Sequence, residues 1–305
     1  MLRPFRFGLQ ATELSDAETV RAAAQQAEQL GYVQLLSFDH IGDVDPFVPL
    51  MVAAAAAPAL QIGPLVLNNE LHHPVLLART AATVDRLTDG RLVLGLGTGY
   101  MSAEHDAIGA PLRDPGPRVR RLAESIAVLR ELLDTGASSF TGEFHHLAVE
   151  SLGVRPAQPK VPFLIGGHGQ AVVRLAARHA DGFQFTGLTH GAGGVPNPGG
   201  FALAAVQQRA GWLAQAAGDR HDDIELSALV QVTHVGGGAD ERVASLAERF
   251  HVSRELINET PFVLVGSVEQ IVDKVERLRA QLGISHLVVR DAADFAPVVA
   301  ALGGH

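Results

Sequence analysis

Eight apolar, β-rich runs alternate with helical patterns along the 305 residues, and this alternation predicts an α/β fold, a (β/α)8 TIM barrel with insertions in the loops. Three observations carry the prediction. Nearly every strand is followed by a helix. Several strands are continuous apolar runs, as expected where helices cover a parallel sheet. No Pro/Ser-rich linker or shift in composition divides the chain, so residues 1–305 read as one domain, although about 150 residues per domain would allow two. Periodicity does not encode strand order, so a doubly wound open sheet is the competing architecture.

The elements follow in order. Residues 5–9 form the first strand, and Ser15 or Asp16 caps a helix running to Gly31. Residues 33–38 are the second strand, 46–57 a helix and 60–67 the third strand. Pro74 opens the next helix at a position where its missing N–H costs nothing, and Asp89-Gly90 closes it before the strand at 91–96. Residues 118–133 place Val119, Leu122, Ile126, Leu129 and Leu133 at helical spacing. A small hairpin insertion is expected at 140–144. Strands at 162–165 and 182–185 flank a helix at 170–178. Residues 191–200, rich in Gly and Pro, read as a loop or lid. A helix at 201–217, a strand at 224–235 and a helix at 240–250 come next. Ser267 with Gln270 three residues on marks a capping box for a helix at 267–282, and 286–290 is the last strand.

Composition narrows the classes of function. Lys and Arg total 24 against 33 Asp and Glu, a formal net charge of −9, which argues against a nucleic-acid partner. The absence of cysteine removes thiol nucleophiles, iron–sulfur clusters, disulfides and Cys-based zinc sites. The first residues lack the apolar stretch of a signal peptide, and the Ala-rich run at 52–58 is too short to span a bilayer. A soluble, cytoplasmic protein with no membrane contact is expected.

In a barrel the chemistry sits just beyond the C-terminal ends of the strands. That rule selects Asp39 and His40, Asn68-Asn69-Glu70, Thr98 to Tyr100, the glycines after the fifth strand, and Thr186. Imidazole titrates near neutral pH, so His40 beside Asp39 suits proton transfer; the plainer reading is a capping Asp and a His packed over the barrel mouth. Gly166-Gly167-His168-Gly169 joins a strand to a helix and is an anion site by construction, or simply a tight turn. Gly95-Leu-Gly-Thr-Gly99 invites a nucleotide or S-adenosylmethionine reading, but Tyr100 breaks G-x-G-x-x-G and the motif does not open the fold. The pairs His72-His73 and His145-His146 lack metal-ligand spacing, so no metal is expected. Phe47, Phe183, Phe185 and Phe201 read as an apolar wall of the pocket or as core.

Three stretches then carry a resemblance: Phe38-Asp-His40; the run from Pro74 through Asp89-Gly-Arg91 to Gly95-Leu-Gly-Thr-Gly99; and Ala180-Asp-Gly-Phe183 after a Gly-Gly loop. Together they resemble the bacterial luciferase-like monooxygenase superfamily, in particular its coenzyme F-420-dependent oxidoreductases, from residue 5 to about residue 290. The resemblance implies a (β/α)8 barrel with a deazaflavin ring across its mouth. It implies that Asp39 helps hold coenzyme F-420 and that His40 exchanges a proton with a small-molecule substrate while hydride moves at C5. Pro64 and Leu65 match a third-strand bulge, a non-prolyl cis peptide that backs the ring. Thr98 and Gly99 match residues lining the cofactor, and Gly166, Gly167, His168 and Gly169 match the loop that binds its phosphate. FMN is the alternative cofactor, with monooxygenation or cofactor binding without turnover as the alternative functions. The resemblance also implies a homodimer, since such relatives are commonly dimers. Tyr100 replaces the acidic residue that sugar-phosphate dehydrogenases of this group carry after Gly-Thr-Gly, and Val44 replaces their Trp. Both departures argue against sugar-phosphate oxidation.

Overall fold

A computed structural model describes residues 3–187, 189–190 and 196–303; for 189–190 and 196–198 the backbone alone is described. Residues 191–195 of the expected 191–200 loop lie outside the described residues. Strand β1 (Arg6–Gln10) leads to helix α1 (Ala17–Gln29), whose N-cap Asp16 accepts from the N–H groups of Glu18 and Thr19 at 3.0 and 2.9 Å. Strand β2 (Gln34–Ser37) and α2 (Val48–Ala56) follow. The third strand is interrupted: β3 (Gln61–Pro64) and β4 (Leu67–Asn68) are separated by a cis peptide between Leu65 and Val66. The expected cis bond therefore lies one residue beyond Pro64-Leu65. Next come α3 (Pro74–Leu87), β5 (Leu94–Gly97), α4 (Ser102–Ala107) and the long α5 (Pro115–Thr135). The hairpin insertion is β6 (Ser138–Thr141) with β7 (His146–Val149), its turn held by the Glu124 carboxylate, which accepts from the N–H groups of Glu143, Phe144 and His145.

Strand β8 (Phe163–Gly166), α6 (Gln170–His179) and β9 (Gly182–Phe185) continue the barrel. A two-residue antiparallel pair, β10 (Thr189–His190) and β11 (Pro196–Asn197), precedes α7 (Leu203–Ala217). The expected strand at 224–235 is two elements. β12 (Glu225–Leu229) stays in the barrel, whereas β13 (Val232–Val235) leaves it to pair in parallel with β14 (Val263–Gly266), beyond α8 (Ala239–Phe250) and α9 (Arg254–Glu259). Helix α10 (Val268–Leu282) begins with the complete Ser267–Gln270 capping box; β15 (Ile284–Val289) and α11 (Ala292–Leu302) end the described fold.

The sheet closes, which excludes the open doubly wound alternative. Round the barrel the order is β1, β2, β3 with β4, β5, β8, β9, β12, β15, and β15 pairs with β1 from Arg6↔His286 to Leu9↔Val289. Ile62↔Leu92 bridges β3 to the start of β5, and Leu67↔Leu96 joins β4 to it. Two layers fill the structure. The larger core lies between strands and helices and takes Phe47, Phe183, Phe185 and Phe201, all buried. A smaller cluster of Leu36, Leu65, Val93, Leu164, Leu229 and Val288 fills the barrel interior. Among the described residues no helix is long and apolar enough to cross a membrane.

The stretch 85–91 is structural. Asp89 and Gly90 both take positive φ, at 53° and 79°, turning the chain so that Arg91 donates to the carbonyls of Ala54, Ala57 and Leu60. This turn stands at the N-terminal end of its strand, away from the chemistry.

Candidate active site

A cleft of about 540 Å³ opens at the C-terminal ends of the barrel strands, within the usual range of small-molecule sites. Its floor is apolar, made by Leu65, Val66 and Leu229. The walls come from the strand ends: Gln10 at the end of β1, Asp39 and His40 after β2, Asn68 on β4, Thr98 to Tyr100 after β5, Gly166 to His168 around the end of β8, and Arg290 after β15. Of the residues selected from sequence, Asp39, His40, Leu65, Thr98, Gly99, Gly166, Gly167 and His168 share this cleft. Asn68, Tyr100 and Thr186 line it too, whereas Asn69, Glu70, Pro64 and Gly169 do not. Pro64 belongs to β3, in register with Ser37, and Gly169 is the N-cap of α6. Phe47, Phe183, Phe185 and Phe201 are core and not pocket wall, because their strands and helices turn those faces toward each other.

Asp39 is 7% exposed and hydrogen-bonded through one carboxylate oxygen. One of its oxygens accepts from the Asn68 N–H and from His72 Nε2, both at 2.8 Å. His72 thus serves the site as a hydrogen-bond partner of the acid. Asn68 is itself fixed: Oδ1 accepts from the Glu70 N–H at 3.1 Å, and Nδ2 donates to His105 Nε2 at 3.1 Å, consistent with His105 Nδ1 donating to the Ala110 carbonyl at 2.9 Å. The loops are braced from outside by α5, where Arg118 donates to the Gly99 carbonyl and Arg121 to the carbonyls of Asn69 and His72.

His40 has a partner absent from the sequence reading. Its Nδ1 lies 2.6 Å from Oε1 of Glu104, an acid 6% exposed on α4. An ionised carboxylate only accepts, so Nδ1 carries the proton and Nε2 is the ring nitrogen left to the cleft. The Tyr100 hydroxyl stands 3.5 Å from Nε2, with the two rings edge to face at 5.9 Å. Burial pushes the Tyr100 phenol above its ordinary value, aided by the charge of Glu104 and opposed by that of Arg290. It therefore stays protonated at neutral pH. The signal for Glu104 was available: it lies seven residues beyond the end of β5, on the loop that the strand-end rule already selects.

The glycines shape the rim. A Cβ on Gly97 would meet Val66 Cγ2 at 2.7 Å, and one on Gly167 would meet Val172 Cγ1 at 2.5 Å. Gly166 to Gly169 run into α6, ten residues long, whose first-turn N–H groups have no intrahelical acceptor. Among the described residues no group of three or more His, Cys, Asp or Glu side chains is placed to hold a metal ion.

The structure is thus a closed (β/α)8 barrel with a His–Glu pair at the rim of a cleft that has an apolar floor. The sequence profile of the luciferase-like monooxygenase family matches residues 1–195, and the chain belongs to that family. It is similar to a coenzyme F-420-dependent glucose-6-phosphate dehydrogenase of Nakamurella multipartita, 33% identical over 193 residues, or 60% of this chain and 56% of the relative. The chain thus spans little more than half the length of that relative. Among solved structures it is similar to the coenzyme F-420-dependent tetrahydromethanopterin reductase of Methanopyrus kandleri, with a TM-score of 0.76, 18% identity and 97% of each chain covered. It is also similar to a type II Baeyer–Villiger monooxygenase from the CAM plasmid of Pseudomonas putida in complex with FMN, with a TM-score of 0.71, 16% identity and coverage of 99% and 96%. At these identities the two structures establish the fold.

Proposed function

We propose that the chain is a coenzyme F-420-dependent oxidoreductase acting on a small organic molecule, with His40 as the general acid/base. The observation that carries the reading is the His40–Glu104 pair at the cleft rim, which leaves one imidazole nitrogen facing the place where a substrate would sit. The F-420-dependent relative named above supports the choice of cofactor.

The residues present fit a flat, anionic cofactor. Leu65, Val66 and Leu229 offer an apolar floor for a ring system. Thr98 and Gly99 line its edge, and Pro64 fixes the approach of Leu65 from β3 without entering the cleft. Gly166, Gly167, His168 and Gly169 with the N-terminus of α6 would take the phosphate of the side chain, because the first-turn N–H groups of α6, which have no intrahelical acceptor, and the helix dipole favour negative charge. Asp39, held by Asn68 and His72, would offer the cofactor a fixed acceptor. When bound, a deazaflavin supplies hydride at C5.

The chain supplies the rest. Glu104 holds the His40 ring so that Nε2 gives or takes the substrate proton. Tyr100, kept as a neutral phenol, closes the same side. The apolar floor excludes water from the reacting face. Equilibrium titration of the purified chain with F-420 and with FMN tests the reading: tighter binding of F-420 supports it, and tighter binding of FMN with oxygen-dependent turnover overturns it.

A further inference from the structure

Among the described residues that line the cleft, Arg290 is the one Arg or Lys. It is the first residue after β15, on the far side of the barrel from β5 and three strands round from β8. The Gly166–Gly169 turn therefore does not share its wall. Its Nε donates to Gln10 Oε1 at 3.0 Å, and Gln10, 3% exposed, donates in turn to the Leu65 carbonyl at 2.9 Å. The guanidinium is thus anchored through one nitrogen to the rigid end of β1. Neither Nη makes a hydrogen bond to the described residues, and no carboxylate of those residues lies within ion-pair distance of it. Two of the three acids that line the same cleft are engaged elsewhere, Asp39 by Asn68 and His72 and Glu104 by His40, and Asp43 makes no ion pair with Arg290 among the described residues. A positioned guanidinium without a counter-ion presents a planar two-donor fork, the complement of a carboxylate.

We propose that Arg290 is a substrate-binding residue that takes the carboxylate of a small organic monoanion, which defines the substrate class of the cleft. The proposal rests on the cleft being the active site assigned above. A single guanidinium matches a single negative charge; a phosphate dianion would meet one cation and the three lining acids Asp39, Asp43 and Glu104. The position suits a reacting substrate, since Arg290 lines the same cleft as His40 and Tyr100, whose hydroxyl stands beside His40 Nε2. A carboxylate on Arg290 would orient the rest of a small molecule toward the proton donor.

Benzoate and its neutral counterpart benzamide serve as probes. They are titrated calorimetrically into the wild-type chain and into Arg290→Gln and Arg290→Lys, both bare and in the presence of F-420, whose own affinity is measured separately for each chain. The expected result is benzoate binding about ten-fold or more tighter than benzamide in wild type, collapsing to within about two-fold in Arg290→Gln and partly retained in Arg290→Lys. F-420 affinity stays within about two-fold throughout. The proposal is overturned if wild type does not discriminate, or if Arg290→Gln discriminates equally. A loss of F-420 affinity in Arg290→Gln with the benzoate preference intact also overturns it, assigning the guanidinium to the cofactor's anionic side chain. Failure of wild type to bind F-420 contradicts the function proposed above, while the probe pair on the bare chain still decides the role of Arg290.

Discussion

The 2.6 Å contact between Glu104 and His40 Nδ1 decides which imidazole nitrogen works. With Nδ1 committed as donor, Nε2 is available as acceptor or, once protonated, as donor. Removing the ring removes proton transfer, and general acid/base catalysis contributes about 10²–10⁴-fold. Turnover of His40→Ala should fall by about that factor, with F-420 affinity nearly unchanged in a fluorescence titration. Glu104→Gln retains a hydrogen-bonding group but loses the charge, and should lower kcat by about ten-fold or more with little change in KM. Equal turnover in wild type and Glu104→Gln would remove Glu104 from the mechanism. At this scale much was legible from sequence. Asp39, His40, Thr98, Gly99 and Gly166–His168 could be named because a barrel puts its chemistry after strand ends, and all of them line the cleft. Glu104 was not legible because the glycine motif stops before it, and spacing alone does not show that α4 brings its acid to His40 in the loop after β2. Pro64 was placed at the cleft because a one-residue offset along the third strand does not register in a sequence pattern.

At the scale of elements, the loop after β5 is held by a glycine with no substitute. Gly99 has φ of 72°, and a Cβ there would lie 2.0 Å from Asn68 Oδ1. Asn68 carries the N–H that Asp39 accepts, so the strain would pass directly to the cofactor side of the cleft. Gly99→Ala should cost about 2 kcal/mol in a denaturant titration and weaken F-420 binding, whereas Gly109→Ala, also at positive φ but with open space around it, should lose little affinity. Helix boundaries with chemical signals were readable: the Asp16 cap and the Ser267–Gln270 box stand where expected. The split of residues 224–235 into β12 and β13 was not, because an apolar run records burial and not which neighbour receives its hydrogen bonds. The break is visible only in the backbone, where the Val230 N–H goes to the Val288 carbonyl and the Gln231 N–H goes to the Phe262 carbonyl. The strand β14 and helix α9 lie in the short stretch after α8, too brief for periodicity to mark.

At the scale of the whole molecule, the two ends of the barrel differ in character. The C-terminal end holds the cleft. The N-terminal end holds a polar layer in which Arg6 is bonded to Glu225 and Gln61 around a cavity of about 160 Å³, with His286 fully buried beside it. Burial pulls the His286 imidazole down to about 4 from its ordinary 6.5, with nearby Arg6 also lowering it and Glu225 opposing. The unfolded chain therefore takes up a proton between pH 6.5 and 4 that the folded chain refuses. Stability contributed by the neutral ring is complete above the unfolded value and is lost as pH falls toward the folded one, by up to about 3 kcal/mol. His286→Leu should flatten the fall of stability between pH 7 and pH 4 (about 3 kcal/mol at most) in denaturant titrations; an unchanged slope would contradict this account. The net charge of −9 acts over the same scale, and an anionic cofactor would bind such a chain only through local compensation, which the proposed function assigns to the N-terminus of α6. Cofactor choice is accordingly the most direct test of the central claim. In parallel titrations of the purified chain with F-420 and FMN, the account predicts that F-420 binds about ten-fold or more tightly than FMN and that its reduced form is reoxidised by an organic acceptor in the absence of oxygen. Preferential binding of FMN, with turnover only when oxygen is present, would contradict it.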